Sequence, residues 1–274
     1  MIDEREVDVM SKENQGTTPL VTVIMPAYNA ERFIEEAIMS VVNQTLTDWE
    51  LLVIDDCSKD ASLQIAQKIA AKDSRIQVFE NDVNSGVAKT RNRGIDMAKG
   101  RYIAFLDSDD VWLSKKLECQ LERMSKANSE IGYCSYGIIG VDGTNVRADY
   151  IVPETAIFKD ILKENYIQCS AMLIRADILK SIKFNTEYFH EDYILGLDML
   201  RTGAMAVGCS EVLLNWRYLE NSRSFNKKKS ALNRWRIYRH YLKFSFFKSA
   251  YLFVGYMTAG LRKYLRKPKK FKRI

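Results

Sequence analysis

From residue 21 onward the chain alternates short apolar runs with stretches that are apolar on one side only. Val21-Thr22-Val23-Ile24-Met25 has the length and composition of a buried strand, and Pro26 is expected to end it. Asn29 is expected to cap the following helix, whose apolar positions Phe33, Ile34, Ala37, Ile38, Val41 and Val42 recur at helical spacing. Leu51 to Ile54 predicts a second strand ending in Asp55-Asp56, and Asp60 a cap for a helix carrying Leu63, Ala66, Ile69 and Ala70. Ile76 to Phe79 predicts a third strand, Val87 to Ala98 a third helix, and Tyr102 to Leu106 a fourth strand that runs into Asp107-Ser108-Asp109-Asp110. Repeated strand–helix alternation predicts a parallel sheet flanked by helices. Parallel strands bring their carboxyl ends to one edge, where ligands bind. Three polar strand ends should therefore meet: Pro26 to Asn29, Asp55-Asp56, and Asp107 to Asp110.

The second half alternates less regularly. Ile131 to Ile139 predicts a strand with Asp142-Gly143 as a turn, Asp160 to Asn165 a helix, and Ala171 to Ile174 a strand. Asp192 to Arg201 predicts a helix stopped at Gly203, and Val212 to Tyr218 a last strand. The chain divides into a polar leader (1–18), two halves of one α/β domain (19–127 and 128–225), and a tail (226–274) that is helical in pattern from Ser230.

Composition narrows the chemistry. With 274 residues and 47% hydrophobic content, the chain can bury a core unaided. Five scattered cysteines, with no Cys-x-x-Cys, argue against a disulfide framework or a zinc knuckle. His190 and His240 are the only histidines, so a metal would need oxygen ligands. No signal peptide is recognisable in Met1 to Asn14, the longest uncharged stretch, Asn14 to Ala30, has 17 residues, and that of the tail, Ser249 to Leu261, has 13, against the roughly 20 that span a bilayer. The expectation is a cytosolic protein.

The net charge of +6 conceals a split, because residues 221–274 hold 17 Lys or Arg and no Asp or Glu, leaving the rest at −11. A polyanion is implied for the tail. Trp235, Tyr238, Phe244, Phe246, Phe247, Tyr251 and Phe253 are interleaved with the basic residues. That mixture predicts an interfacial helix on the cytosolic face of an anionic membrane, through residues 231–274, rather than a nucleic-acid arm. Helices packed on the catalytic body are the alternative.

Three carboxylates in four residues (Asp107, Asp109, Asp110) repel one another unless a cation lies between them, and oxygen ligands select Mg²⁺ or Mn²⁺. Asp55-Asp56 either caps a helix or accepts the ring N–H of a pyrimidine. Tyr28 suits stacking on a base or partial burial. Arg91 suits a phosphate or a solvated helix face. Walker A and G-x-G-x-x-G patterns are absent.

Together these blocks resemble glycosyltransferase family 2: Pro26-Ala27-Tyr28-Asn29, Ser40 to Thr45, Asp55 to Asp60, Asn84-Ser85-Gly86, Arg91 to Ile95, and Gly100 through Asp110, in matching order and spacing over residues 19–127. The resemblance implies a GT-A fold, a nucleotide-diphosphate sugar donor, a divalent cation and inversion at the anomeric carbon. It implies that Asp56 reads the base, Tyr28 stacks on it, Asp107 contacts ribose or sugar, and Asp109 holds the metal. Pro26, Arg91 and Ser108 join the donor site. Downstream, His190-Glu191-Asp192-Tyr193 is similar to the family's acidic pair, with Asp192 matching the general base, although Gly196 stands where many members have tryptophan. Ser222 and Ser224 resemble a serine pair near the diphosphate. Arg234-Trp235 resembles the end of Q-x-x-R-W in processive synthases, but Ala231 replaces the glutamine. Transfer of one sugar to a glycan or lipid-linked acceptor of the cell envelope is the expectation. The alternatives are a sugar-phosphate nucleotidyltransferase and an inactive nucleotide-sugar binder or membrane scaffold.

Overall fold

The structure, a computed structural model, describes residues 18–219 and 227–265, with side chains to 261. Most of the leader, Ser222, Ser224 and the last basic residues lie outside this range. The described strands are β1 Val21–Ala27, β2 Trp49–Asp55, β3 Ile76–Glu80, β4 Tyr102–Phe105, β5 Val111–Trp112, β6 Ile131–Ile139, β7 Asn145–Tyr150, β8 Thr155–Ala156, β9 Leu173–Arg175 and β10 Ala206–Arg217. The helices are α1 Ile34–Val42, α2 Ser62–Ala70, α3 Val87–Met97, α4 Lys116–Ala127, α5 Phe158–Ile161, α6 Ala176–Ser181, α7 Glu191–Arg201, α8 Lys227–Arg236 and α9 Phe246–Leu265.

One sheet in the order β3-β2-β1-β4-β9-β6-β10-β5 runs through both halves, with β7 on β6 and β8 on β10. β1 to β4 are parallel, as the alternation predicts. β1 continues through Pro26, opposite Ile54. The missing N–H costs nothing there. Residues 22, 24 and 26 direct their backbone groups toward β4, whose ladder with β1 ends at Ile24–Phe105.

Beyond these four strands the mostly parallel sheet turns mixed: β9 is antiparallel to both β4 and β6. The chain before it, from Lys163 to Ser170, lines the cleft at the carboxyl edge. β9 therefore starts at that edge and runs away from it. β10 is parallel to β6, with register shifts between Cys209 and Leu214.

Two predicted caps resolve differently. Asn29 does not cap α1. It adopts φ 49°, and its Oδ1 accepts the Lys59 N–H at 2.8 Å. Ala30 O instead accepts the N–H groups of Phe33 and Ile34. Asp60 does serve the start of α2, where its Oδ1 accepts from the N–H and the hydroxyl of Ser62.

The tail is not one helix. After α8 the chain forms a π-helical turn, Ile237–Tyr241, then reverses through Lys243 at φ 53° before α9. Its first part packs on the body. Ile237 and Tyr238 are fully buried, the Tyr238 hydroxyl donates to Leu162 O, and the Tyr241 hydroxyl donates to Asp198. No helix among the described residues is long and apolar enough to cross a membrane.

Candidate active site

The carboxyl edge of the sheet opens into a cleft of about 1500 Å³. Pro26, Tyr28, Asp56, Arg91, Asp107, Ser108, Asp109 and Asp192 all line it, so these eight expected site residues meet there, while Ser222 and Ser224 lie outside the described residues. The far wall comes from the tail, through Arg234, Tyr256 and Leu261.

Asp56 extends β2 into this edge and is almost fully buried. Its Oδ1 accepts from Asn81 Nδ2 at 2.7 Å and from the Ser85 N–H at 2.8 Å, and its Oδ2 accepts the Gly86 N–H at 2.8 Å. The carboxylate thus fixes the loop that starts α3, where Gly86 takes φ 82°. Two lone pairs on each oxygen leave Oδ2 one acceptor position toward a ligand. Tyr28, 51% exposed, has its ring free to take a flat partner.

Gly94 brings α3 close to the sheet, since a Cβ there would lie 2.5 Å from Ile24 Cγ2. That approach buries Arg91, one turn earlier on the helix. Arg91 is neither on a solvated face nor a free phosphate ligand. Its Nη2 donates to Asp107 Oδ1 at 2.5 Å and its Nη1 to Glu191 Oε1 at 2.9 Å. Burial works against the guanidinium charge, but Asp107 and Glu191 hold its pKa above that of an ordinary arginine. The residue is an ionic bridge from the turn after β4 to α7.

Asp107 and Asp109 follow β4 into the cleft. The Asp107 N–H donates to Ser170 Oγ at 3.1 Å. Asp109 is pushed up to about 6 by burial and by the Asp107 carboxylate. Asp110 turns back into the body, where its Oδ1 accepts the Arg217 N–H at 2.9 Å, and burial with its two acidic neighbours pushes its pKa well up. So two carboxylates of the three remain for a ligand. No group of three or more His, Cys, Asp or Glu among the described residues is placed to hold a metal ion. Asp107 and Asp109 still fit a divalent cation. Both line the cleft, and Mg²⁺ takes one or two carboxylates with substrate phosphates completing its shell.

Asp192 is the second residue of α7. A helix N-terminus favours the ionised carboxylate, but burial and the neighbouring Glu191 raise it to about 6. Asn165 Nδ2 donates to its Oδ2 at 3.3 Å. Glu191, the rival base, is held by Arg91.

Several contributors escaped the sequence reading. Ser170 and Asn81 carry no motif. Arg217 ends an apolar strand, a position that could have marked it. It is buried, and it donates to Asp109 O, Gly140 O and Glu36 Oε2, tying the acidic turn to β10. Arg234 is also buried. Its guanidinium lies 3.4 Å from the Tyr193 ring centroid, and its Nε and Nη1 have no hydrogen-bond partner among the described residues.

A sheet of this topology, with an acidic turn after its fourth strand and Asp192 on the opposite wall, has the architecture of the GT-A fold. Comparison with known proteins agrees. The family model "Glycosyl transferase family 2" matches residues 22–183. Over 247 residues the chain is 37% identical to the Bacillus subtilis (strain 168) glycosyltransferase TuaG, named for teichuronic acid biosynthesis, covering 90% of this chain and 98% of that one. It is 34% identical to Escherichia coli WfgD, a UDP-Glc:alpha-D-GlcNAc-diphosphoundecaprenol beta-1,3-glucosyltransferase, covering 89% of this chain and 95% of that one. Among solved structures, S. aureus TarS in complex with UDP-GlcNAc superposes with a TM-score of 0.69 at 22% identity, over 88% of this chain and 72% of that one. The chain belongs to glycosyl transferase family 2 and is a glycosyltransferase.

Proposed function

We propose that this glycosyltransferase moves one sugar from a nucleoside-diphosphate sugar, a UDP-sugar, to a glycan or lipid-linked acceptor of polysaccharide biosynthesis, with inversion. The convergence of all eight assigned residues on one cleft carries the reading. The relatives' names support its substrate classes: WfgD is named for UDP-Glc and a diphosphoundecaprenol acceptor.

In this reading residues 19–127 bind the donor and 128–225 the acceptor. Tyr28 stacks on the base, and the remaining acceptor position of Asp56 Oδ2 takes a pyrimidine ring N–H. Pro26 and Ser108 border the nucleotide, and Asp107 contacts ribose or sugar. A divalent cation, Mg²⁺ or Mn²⁺, held by Asp109 beside Asp107, would neutralise charge on the leaving diphosphate. Arg91 acts by keeping the Asp107 carboxylate in place. Asp192 takes the proton from an acceptor hydroxyl as its oxygen attacks the anomeric carbon from the face opposite the departing diphosphate. A base near 6 is ionised at neutral pH yet still basic enough to accept that proton. No covalent nucleophile is needed, so the configuration inverts once. Ala231 in place of the glutamine of processive synthases supports a single transfer.

The test is a panel of nucleotide sugars with the purified chain and diphosphate-lipid acceptors, reading the product's anomeric proton coupling. The expected product has the opposite configuration to the donor, and UDP or TDP binds more tightly than GDP or ADP. A retained configuration, or a tighter purine diphosphate, contradicts the reading.

A further inference from the structure

The outer surface of α9 is largely exposed, although Tyr251 meets Lys163 and Phe246 meets the Trp235 ring. Six of the fourteen large apolar side chains that are exposed among the described residues fall on this one helix: Phe246, Phe247, Tyr251, Val254, Met257 and Leu261. The concentration is spatial as well as sequential. Positions 247, 251, 254 and 261 follow helical spacing and share one face. The opposite face is the one that packs. Ser249 and Leu252 are buried, Phe253 meets the Trp235 ring at 5.7 Å, and Tyr256 lies 4.7 Å from the Arg234 guanidinium. A helix that buries one apolar face on its own body and turns a second outward is built to lie between two apolar phases.

Charge selects what covers the outward face. Lys243 and Lys248 flank its start, the stretch from 262 to 273 is dense in Lys and Arg, and no acidic residue occurs after Glu220. Apolar and aromatic side chains bordered by cations on both ends match an anionic lipid surface. The same helix reaches the active site, because Met257 and Leu261 belong both to the exposed face and to the lining of the cleft.

We propose that the outward face of α9, led by Phe247 and Val254, lies in the headgroup region of an anionic bilayer, and that the cleft opens against that surface. The contact is narrower than the whole tail, since α8 and the π-helical turn are packed on the body. A lipid-linked acceptor then reaches Asp192 laterally, with its anchor still in the bilayer. This last step rests on the acceptor class proposed above, whereas the docking itself does not.

The test uses the full chain and vesicles of phosphatidylcholine with or without phosphatidylglycerol, read by co-sedimentation. Wild type should pellet with the anionic vesicles and much less with the neutral ones. The double variant Phe247→Glu/Val254→Glu should bind at least tenfold more weakly, while Leu232→Glu, an exposed apolar position on α8, should bind like wild type. Transfer to a diphosphate-lipid acceptor embedded in vesicles should fall with binding, and transfer to a short-chain, detergent-free analogue should not. Wild type that ignores anionic vesicles, or a double variant that binds as well as wild type, overturns the proposal. So does a concentration-dependent dimer lost in the double variant, which would make a second copy the occupant. Vesicle binding needs no turnover, so binding without any transfer would reject the proposed reaction and leave the docking standing.

Discussion

Replacing Asp192 with asparagine should make the protein more stable and nearly inactive, and the two effects come from one cause. The carboxyl is raised from 3.8 to about 6, chiefly by burial and then by Glu191. At about 1.4 kcal/mol per pH unit this displacement is worth roughly 3 kcal/mol. Asp192 retains some solvent contact, so screening leaves about 2 kcal/mol. Because the folded-state value is the higher one, the native protein binds this proton first as pH falls. The ionised group therefore opposes folding at pH 7, and the penalty disappears as pH drops through 6 toward 4. Asparagine has nearly the same shape, can still accept from Asn165, and carries no charge to desolvate. Urea denaturation without metal should give Asp192→Asn an advantage of about 2 kcal/mol at pH 7 and almost none at pH 4. Loss of a general base should lower kcat/KM by something like 10²–10⁴-fold, and the wild-type rate should rise with pH along a limb centred near 6. Glu191→Gln should not remove that limb. A variant less stable than wild type at pH 7, or one equally advantaged at pH 4, would show that burial of the charge is not what raises the group. A fully active variant would remove Asp192 from the mechanism.

Asp109→Asn should fold normally and lose metal-dependent nucleoside-diphosphate binding. Calorimetry with and without Mn²⁺ checks this, and equal affinity in all four combinations would refute it. Arg91→Met should cost about 3–5 kcal/mol, because it strands the buried Glu191 and frees Asp107. Combining it with Glu191→Gln should recover part of the loss in denaturant midpoint, and a strictly additive pair would contradict the bridge.

The first half, residues 19–127, was legible because its signals are local. Apolar runs of strand length alternate with helical stripes, and each strand ends in a polar block, so topology follows from handedness and short connections. The site residues followed from the same edge. What could not be read depends on distant partners. Arg91 suited a phosphate or a solvated helix face, but Gly94 lets α3 approach the sheet and Glu191, a hundred residues away, is its partner. β9 escaped because direction in a sheet is set by where the preceding segment enters, and the entry of 163–170 over the cleft has no sequence mark. Asp110 could not be separated from Asp107 and Asp109 without Arg217. The tail read as one helix because composition is continuous through Lys243, while the reversal there arises from tertiary packing of Tyr238 and Tyr241.

The Arg91 bridge also bears on recombination between members of the family. The two halves of the chain share one sheet, and around the cleft their seam is also joined by the Asp107 N–H to Ser170, Arg91 to Glu191, Asn92 to Phe184, and Arg217 to Asp109 and Asp110. A chimera that keeps residues 19–127 and imports a relative's second half inherits a working seam only if a hydroxyl arrives at 170 and a carboxylate at 191. Where either is missing, an unpaired guanidinium or a loosened acidic turn would sit at the point of transfer. Exchange of whole halves between such enzymes is therefore constrained at these positions, with 170, 191 and 217 among them.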